Sequence, residues 1–405
     1  MKDCKIRGRV ADDGLKIDVI GKIDSTNAAD AGAAMRRERE LHPEGRVEFD
    51  FSRVQYISSA GLRELLKFQK AEKDKIRIVE LEPDVYDVFE VTGFSQIFDV
   101  RKTVDEFSVE GLEEIGRGAN GRVFRVDEET ILKVANPEYS LDYVEHERRM
   151  SQVALVAGLP TAIPFQTVKV GDSYGALYEL VDTSTLAATA EANSDLMPEL
   201  GERLGRLLRD LSMTRVDDDE LPDLRLLHID RARKLSTWLS AEETATVIAA
   251  YEALPQCDTY VHGDLNLNNI MVQDGELIMI DMGALGFGHP LLDLAAMCMV
   301  LEIAYQSGPE AGYQTTGVPQ EVASAVWRTA KDTYFGLGEP PSPVGETMDK
   351  LILGYGLCQM GLVPTYRSYL PDDLVEAIMG ALRQAMPLVS ALPQMVGAFV
   401  MPSQP

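Results

Sequence analysis

Cysteine and histidine are scarce in this chain, which has 4 cysteines and 5 histidines among its 405 residues. The cysteines are Cys4, Cys257, Cys298 and Cys358. They lie far apart along the sequence, and the histidines never cluster with them at zinc-ligand spacing. This pattern predicts neither a zinc site nor a disulfide framework, and it indicates separate thiols in a reducing compartment.

Long apolar runs and positive charge are also lacking. No stretch reaches the ~18 apolar residues that a transmembrane helix needs, and the opening MKDCKIRGRV lacks the apolar core of a signal peptide. The 39 lysines and arginines are outnumbered by 65 acidic residues, which gives a formal net charge of -26. That charge opposes phosphate backbones and anionic lipid surfaces at long range. We therefore expect a cytoplasmic protein that has neither nucleic acid nor membrane as a partner.

The length of the chain is enough for two hydrophobic cores. A chain of 405 residues exceeds the ~250 to 300 that one core usually organises. The composition, 45% hydrophobic and 26% charged, is typical of soluble globular proteins. Periodic hydrophobicity is lost over residues 101–110, which carry several acids. We predict a first domain at 1–103, a linker at 104–110 and a second domain at 111–405.

The first domain has the pattern of a small α/β fold. Residues 47–51, VEFDF, alternate in polarity as a strand with one buried face does. Similar strand patterns occupy 15–20 and 76–81, and an amphipathic stretch covers 85–94. Ser58 and Ser59 mark the start of a helix whose leucines recur at 62, 65 and 66. The order strand, helix, strand predicts an α/β domain.

The run VEFDFSRVQYISSAGLRELL resembles the central motif of STAS domains, the family of anti-sigma factor antagonists, and GKIDSTNA at 21–28 resembles its earlier loop. The resemblance implies a sensor or docking module that binds a regulatory protein or a small ligand. It also implies that Ser59 is a phosphoacceptor, although Ser58 stands where the family usually has aspartate. The free N–H groups of a helix N-terminus would stabilise an added phosphate. The alternative for Ser59 is a plain N-cap, which needs only a side-chain oxygen.

A glycine loop opens the second domain. The run IGRGANGRV at 115–123 matches G-x-G-x-x-G-x-V through Gly116, Gly118 and Gly121. Dinucleotide-binding loops with similar glycines open a helix, whereas this loop lies between two strand-like runs. A glycine loop between strands is the kinase arrangement, in which backbone N–H groups cover the phosphates of ATP. The alternative is a glycine-rich hairpin without a ligand.

Two charged residues after this loop form a predicted ion pair. Lys133 lies in an alternating strand, where a kinase fold needs an ammonium group to reach the nucleotide phosphates. The charge-rich helix predicted at 141–156 offers Glu145 and Glu147 as partners. Helical periodicity places Glu147 on the apolar face. We therefore predict that Glu147, and not Glu145, pairs with Lys133.

The run SYGALYELV at 173–181 predicts the last strand of a small lobe. In a kinase-like fold this strand leads into the hinge between the lobes. We expect backbone groups of Glu179 and Val181 to bind the adenine edge. The predicted lobes are 111–182 and 183–405.

The segment 261–295 contains the strongest motif, H-x-D-x-x-x-x-N, as His262, Asp264 and Asn269. Two strand-like runs around an Asp-Gly turn follow, and the second run leads to Asp281. Because such a tight turn sets the ends of its strands side by side, we expect Asn269 and Asp281 to meet. Amide and carboxylate oxygens suit Mg²⁺. Asp264 can orient an acceptor hydroxyl and take its proton, whereas His262 is expected to be structural.

The runs HGDLNLNNI and IDMGALGFGHPLLDLA resemble the catalytic and metal-binding loops of aminoglycoside phosphotransferases and choline kinases. The resemblance covers about 111–405 and implies a two-lobed, α+β protein kinase-like domain with a small β-rich lobe and a large helical lobe. It makes Asp264 the catalytic aspartate and Asp293 a structural residue. It also makes Asn269 and Asp281 the Mg²⁺ ligands and Lys133 a phosphate ligand.

The expected reaction is Mg-ATP-dependent transfer of the γ-phosphoryl group to a hydroxyl of a small molecule. Two other classes stay open: a signalling kinase that phosphorylates a STAS-domain serine such as Ser59, and a nucleotide-binding regulator without turnover. The resemblance also implies that the helices after residue 291 form part of the acceptor pocket. Their acids could attract a cationic acceptor or belong to a solvated surface, and they include Glu302, Glu310, Glu321 and Asp332.

Overall fold

The computed structural model describes residues 4–11, 14–118, 120–181, 184–193, 196–216, 221–336, 343–367 and 370–401. The chain divides into two compact units, Met1–Phe107 and Ser108–Pro405. This division falls inside the region 104–110, whose bounds as a linker stay a prediction. The predicted limit between the two lobes, at residues 182 and 183, lies outside the described residues.

The first unit is a five-stranded sheet with the strands in chain order. Its strands are β1 (Cys4–Ala11), β2 (Gly14–Ile23), β3 (Arg46–Ile57), β4 (Arg77–Leu81) and β5 (Asp99–Lys102), and its helices are α1 (Ala28–Leu41), α2 (Ser59–Gln69) and α3 (Pro83–Val91). β1 pairs antiparallel with β2, and the pairs from β2 to β5 are parallel. Alternation along β3 buries Phe49 and Phe51 completely, as the period of two predicts. The α/β prediction for this unit is confirmed.

The start of α2 settles which of two adjacent serines caps the helix. Ser58 has extended backbone angles, and its Oγ accepts a hydrogen bond from the N–H of Gly61 at 3.3 Å. Ser59 is the first helical residue and is exposed. The alternative that Ser59 is the N-cap is therefore wrong, because Ser58 performs that role.

The small lobe of the second unit is a five-stranded antiparallel sheet in the order β6-β7-β8-β10-β9. Its elements are β6 (Glu113–Arg117), β7 (Gly121–Arg125), β8 (Thr130–Ala135), α4 (Leu141–Val156), β9 (Pro164–Val170) and β10 (Ser173–Glu179). The side chain of Ser140 caps α4 by accepting a hydrogen bond from the N–H of Tyr143. The observed helix has the same limits as the stretch that periodicity predicts.

The large lobe is mostly helical around one extensive apolar core. Its helices are α5 (Leu186–Ala192), α6 (Met197–Met213), α7 (Leu224–Arg233), α8 (Ala241–Glu252), α9 (Leu291–Leu301), α10 (Pro309–Thr316), α11 (Gln320–Phe335), α12 (Pro343–Leu362), α13 (Asp372–Val389) and α14 (Leu392–Met395). Its short strands are β11 (Thr259–Val261), β12 (Ile270–Gln273), β13 (Glu276–Met279) and β14 (Gly286–Gly288). The small β-rich lobe and the large helical lobe confirm the predicted α+β class. In the part of the chain that the structure describes, no helix has the length and apolar character to cross a membrane.

Candidate active site

The loop that follows β11 is held in place by one buried carboxylate. Asp293, in the first turn of α9, accepts hydrogen bonds from the backbone N–H groups of His262 at 2.8 Å and Gly263 at 3.1 Å. Gly263 has φ +81°, and a Cβ there would lie 2.4 Å from the carbonyl oxygen of Ala284. Burial raises the pKa of Asp293, and its hydrogen bonds and nearby His262 oppose that rise. Asp293 therefore positions the loop, as the sequence resemblance implied.

His262 is completely buried and uses both ring nitrogens within the protein. Its Nε2 lies 3.1 Å from the carbonyl oxygen of Ile280, and its Nδ1 accepts from the N–H of Asp264 at 3.3 Å. These contacts fix the tautomer, with the proton on Nε2. His262 therefore orients the backbone next to Asp264 and is structural, as predicted.

Asp264 presents its carboxylate to a large cavity. Burial by the surrounding protein raises the pKa of Asp264, although Arg367, His262 and Arg231 act in the opposite direction. Its backbone carbonyl accepts a hydrogen bond from Nδ2 of Asn269 at 2.8 Å. The side chain opens to the cavity, so it can reach a hydroxyl group bound there.

The hairpin of β12 and β13 brings Asn269 next to the residue before Asp281. Its turn has φ +50° at Asp274 and +84° at Gly275, the signs of a type I′ turn. The N–H of Ile280 donates to the carbonyl oxygen of Asn269 at 2.9 Å. Asp281 then has φ +60°, a left-handed conformation that aspartate tolerates better than most residues.

Lys133 lies between two carboxylates. Its Nζ is 2.7 Å from Oε1 of Glu147 and 3.1 Å from Oδ1 of Asp281. Burial disfavours the charged ammonium, but the two carboxylates outweigh it and raise the pKa of Lys133. Glu147 is only 7% exposed, whereas Glu145 pairs with Arg148 at 3.1 Å instead. The predicted choice of Glu147 as the partner of Lys133 is confirmed by this geometry.

The glycine loop joins β6 and β7, as expected for a loop between strands. Within it, the N–H of Gly118 donates to the carbonyl oxygen of Gly121 at 2.9 Å. A Cβ at Gly121 would lie 2.1 Å from the carbonyl oxygen of Val134, so packing requires glycine there. A Cβ at Gly118 would meet no atom within 4 Å, and one at Gly116 would only touch Val123 at 3.5 Å. Packing against the protein therefore does not explain Gly116 and Gly118, and the space where a side chain would lie is open at Gly118.

The predicted hinge contacts differ between the two residues. The N–H of Glu179 donates to the carbonyl oxygen of Ile163 at 2.9 Å, and the N–H of Leu180 donates to that of Glu129 at 2.7 Å. Among the described residues, Val181 has no hydrogen-bond partner for its N–H. Val181 is therefore the better placed of the two predicted residues to donate to an adenine ring.

Asp264 borders a cavity of about 470 Å³ formed by helices of the large lobe. Most of its wall is apolar, and it includes Arg231 of α7 and Arg367 after α12. The acids that the sequence offered as attractors for a cationic acceptor do not line this cavity: Glu302, Glu310, Glu321 and Asp332. No local motif marks the two arginines, because the packing of distant segments brings them together.

The oxygen atoms of Asn269 and Asp281 fit Mg²⁺ as a donor set. Over the described ranges, no group of three or more His, Cys, Asp and Glu residues could hold a metal alone. A hard cation with two protein oxygens is typical of sites completed by nucleotide phosphates and water. Nδ2 of Asn269 donates a hydrogen bond to the backbone carbonyl oxygen of Asp264. Oδ1 of Asn269 therefore remains available to a cation.

Comparison with known proteins assigns both units. Residues 111–326 match the model of the phosphotransferase enzyme family (APH), and residues 4–107 match the STAS domain model. BtrV of Bordetella bronchiseptica, assigned as an anti-sigma factor antagonist, is 38% identical over 92 residues, which are 22% of this chain and 78% of BtrV.

Two examples illustrate the similarity of this chain to solved structures. A thermostable mutant of the aminoglycoside phosphotransferase APH(4)-Ia, in its apo form, is 16% identical with a TM-score of 0.46, covering 71% of this chain and 97% of that one. A choline/ethanolamine kinase family protein from Mesorhizobium loti is 15% identical with a TM-score of 0.46, covering 70% and 92%. Because the family model spans more than half of its residues, the chain belongs to the phosphotransferase enzyme family, with a STAS domain before its kinase-like fold.

Proposed function

We propose that this phosphotransferase transfers the γ-phosphoryl group of ATP to a hydroxyl of a small molecule. The observation that carries the proposal is that Asp264 borders a largely apolar cavity of about 470 Å³, which is within the usual size of small-molecule sites. The charge of Asp281 also raises the pKa of Asp264, so the two carboxylates lie within Coulombic reach of each other. A hydroxyl at Asp264 would therefore be close to a nucleotide phosphate near Asp281.

The proposed reaction uses each predicted residue in one role. Asp264 orients the acceptor and takes its proton. The acceptor oxygen bonds to the γ-phosphorus while the bond from that phosphorus to the βγ-bridging oxygen breaks, and ADP leaves with the electron pair. Lys133, held by Glu147, positions the nucleotide phosphates. The backbone of the loop containing Gly116, Gly118 and Gly121 covers them.

Asn269 and Asp281 would hold Mg²⁺, which supplies positive charge to the phosphate oxygens when it is bound. The ammonium of Lys133 already contacts Asp281 at 3.1 Å. It therefore keeps the Asp281 carboxylate at the side of the site where phosphates and a cation would meet.

The test is the substitution Asp264→Asn in the full-length protein. We expect phosphotransfer to a panel of small hydroxyl compounds to fall ~100-fold or more, the usual scale for a positioned acid or base. Calorimetry should show nearly unchanged nucleotide binding. Asp230→Asn, which changes an aspartate of the surface pair with Arg233, is the matched control and should keep full activity. Equal turnover in the Asp264→Asn protein would refute the assignment.

A second candidate function is a signalling kinase that phosphorylates a STAS serine. Ser59 favours it, because this exposed hydroxyl is not needed to cap α2. The similarity of residues 4–107 to anti-sigma factor antagonists supports docking of a regulatory protein on this domain. A nucleotide-binding regulator without turnover is less well supported, because binding alone does not need a carboxylate at Asp264.

A further inference from the structure

The cavity beside Asp264 has an unusual charge for so acidic a chain. Its apolar wall includes Met299, Val300, Ile303, Leu362, Leu374 and Ile378. The charged groups on it are Arg231, Arg367 and Asp264, which is the one acid that lines it among the described residues. His228 also lines the cavity, but burial and the charge of Arg231 lower the pKa of His228 to about 4, which leaves it neutral. The wall therefore has more positive than negative charge, whereas the whole chain carries -26.

Neither arginine has a carboxylate partner within the described ranges. Arg231 stacks its guanidinium over the ring of Tyr366, 4.2 Å from the ring centre. Arg367 makes no side-chain hydrogen bond or salt bridge there. Both cations favour the charged form of Asp264, so they lie within Coulombic reach of the carboxylate that would receive the acceptor hydroxyl.

Two guanidinium groups without a carboxylate in contact, Arg231 half-buried and Arg367 exposed at the rim, are suited to a planar anion. An arginine binds a carboxylate or a phosphate through paired N–H donors, and desolvation that is not compensated by an anion is costly. Arg231 is half-buried, and this burial lowers the pKa of its guanidinium. The ring of Tyr366 contributes a cation–π contact to this guanidinium. A bound anion would therefore supply the negative charge that these two arginines lack in the wall of the cavity.

We infer that the acceptor is an apolar alcohol that also carries an anionic group. Arg231 and Arg367 would bind the anion, Asp264 would bind the hydroxyl, and the apolar remainder would lie against the helices α9, α12 and α13. A polycationic acceptor is disfavoured, because it would place positive charge beside two arginines. This inference rests on the proposed function, since it names the substrate class of the same site.

The test compares three alcohols that differ in a single group. The probes are β-hydroxydecanoate, the diol in which its carboxylate is reduced, and the amino alcohol in which an aminomethyl group replaces that carboxylate. Binding to the full-length protein is measured by calorimetry without nucleotide, and phosphorylation is measured separately with Mg-ATP. We expect the carboxylate to bind about tenfold more tightly than the diol, which corresponds to about 1.4 kcal/mol. The amino alcohol should bind most weakly.

Two arginine variants and one control identify the cause. In Arg367→Gln and Arg231→Gln the preference for the carboxylate should fall to about one. Because Arg367 is exposed and its side chain makes no hydrogen bond or salt bridge with the residues that the structure describes, its variant keeps the test valid if the Arg231 variant is unstable. Arg233→Gln removes the same charge from α7 outside the cavity and should keep the preference. Equal or tighter binding of the diol or the amino alcohol, or no binding of any probe at roughly millimolar concentration, would overturn the inference.

The phosphorylation assay separates this inference from the proposed function. If the carboxylate binds preferentially but none of the probes is phosphorylated, the proposed chemistry fails and the inferred ligand class stands. If the diol or the amino alcohol is phosphorylated with an equal or higher kcat/KM, the ligand class is wrong and the phosphotransfer stands.

Discussion

Replacing Glu147 by glutamine removes the nearer of the two carboxylates that bind Lys133. The ammonium lies 2.7 Å from Glu147 and 3.1 Å from Asp281. After the substitution, Asp281 is its remaining acidic partner among the described residues, and the ammonium is expected to shift toward it. That shift would move it away from the position where it can bind nucleotide phosphates.

The expected loss of stability follows from burial. Removing one partner of a buried ion pair costs about 3–5 kcal/mol, and the retained contact with Asp281 should reduce this cost to about 2 kcal/mol. The loss of positioning should lower kcat/KM by about 100-fold. Glu145→Gln is the matched control, two residues away on the same helix. It breaks a half-exposed pair with Arg148, which is better solvated than the pair of Lys133 and Glu147 and should change stability by about 1 kcal/mol or less.

Urea denaturation of both variants measures the change in the free energy of unfolding, and steady-state phosphotransfer measures kcat/KM. The wild-type protein and both variants should have the same m-value, so that differences in midpoint report stability. Equal effects of the two substitutions, or a larger effect of Glu145→Gln, would refute the assignment of Lys133 and Glu147 as a functional pair.

Three further outcomes are expected. The first is for Asp281→Asn, a substitution chosen because asparagine tolerates the left-handed backbone at this position. Calorimetry should show that Mg²⁺ increases the affinity for ATP about tenfold less, or worse, in this variant than in the wild type. An unchanged effect of Mg²⁺ would exclude Asp281 as a metal ligand. Burial lowers the pKa of His289 to about 4, whereas a histidine in the unfolded chain has a pKa of ~6.5. Between these two pH values the imidazole of His289 is protonated in the unfolded chain and neutral in the folded protein. Thermal denaturation should therefore show that acidification over this window destabilises the wild type more than His289→Gln, by up to about 3 kcal/mol, and parallel pH profiles would contradict this. Incubation with Mg-ATP should leave the intact mass unchanged; a phosphate that is absent from both Ser59→Ala and Asp264→Asn would instead support the signalling kinase.

Short sequence patterns were enough to predict those contacts of the site that depend on a single turn or a single helix. The hairpin turn at Asp274 and the inward face of α4 both follow from short-range rules, a tight-turn dipeptide and helical periodicity. These rules placed Asn269 near Asp281 and Glu147 against Lys133, and the structure has both arrangements. The catalytic and ligand-binding roles of these residues stay predictions.

Other features of the fold and of the site could not be predicted, because short sequence patterns were either absent or compatible with more than one structure. The helix α1 is rich in alanine and has little apolar contrast, so its periodicity gave no signal. Either Ser58 or Ser59 satisfies the N-cap preference, and the choice follows from where β3 ends. Arg231 and Arg367 come from separate segments and meet only through tertiary packing.

The contact between Lys133 and Asp281 also joins the two lobes of the kinase-like unit. Lys133 belongs to β8 of the small lobe, and Asp281 follows β13 of the large lobe, so their 3.1 Å ion pair spans the cleft between the lobes. Opening the cleft would separate these opposite charges, so the ion pair opposes it. Because both side chains are partly buried, added salt screens this attraction much less than it screens a surface pair.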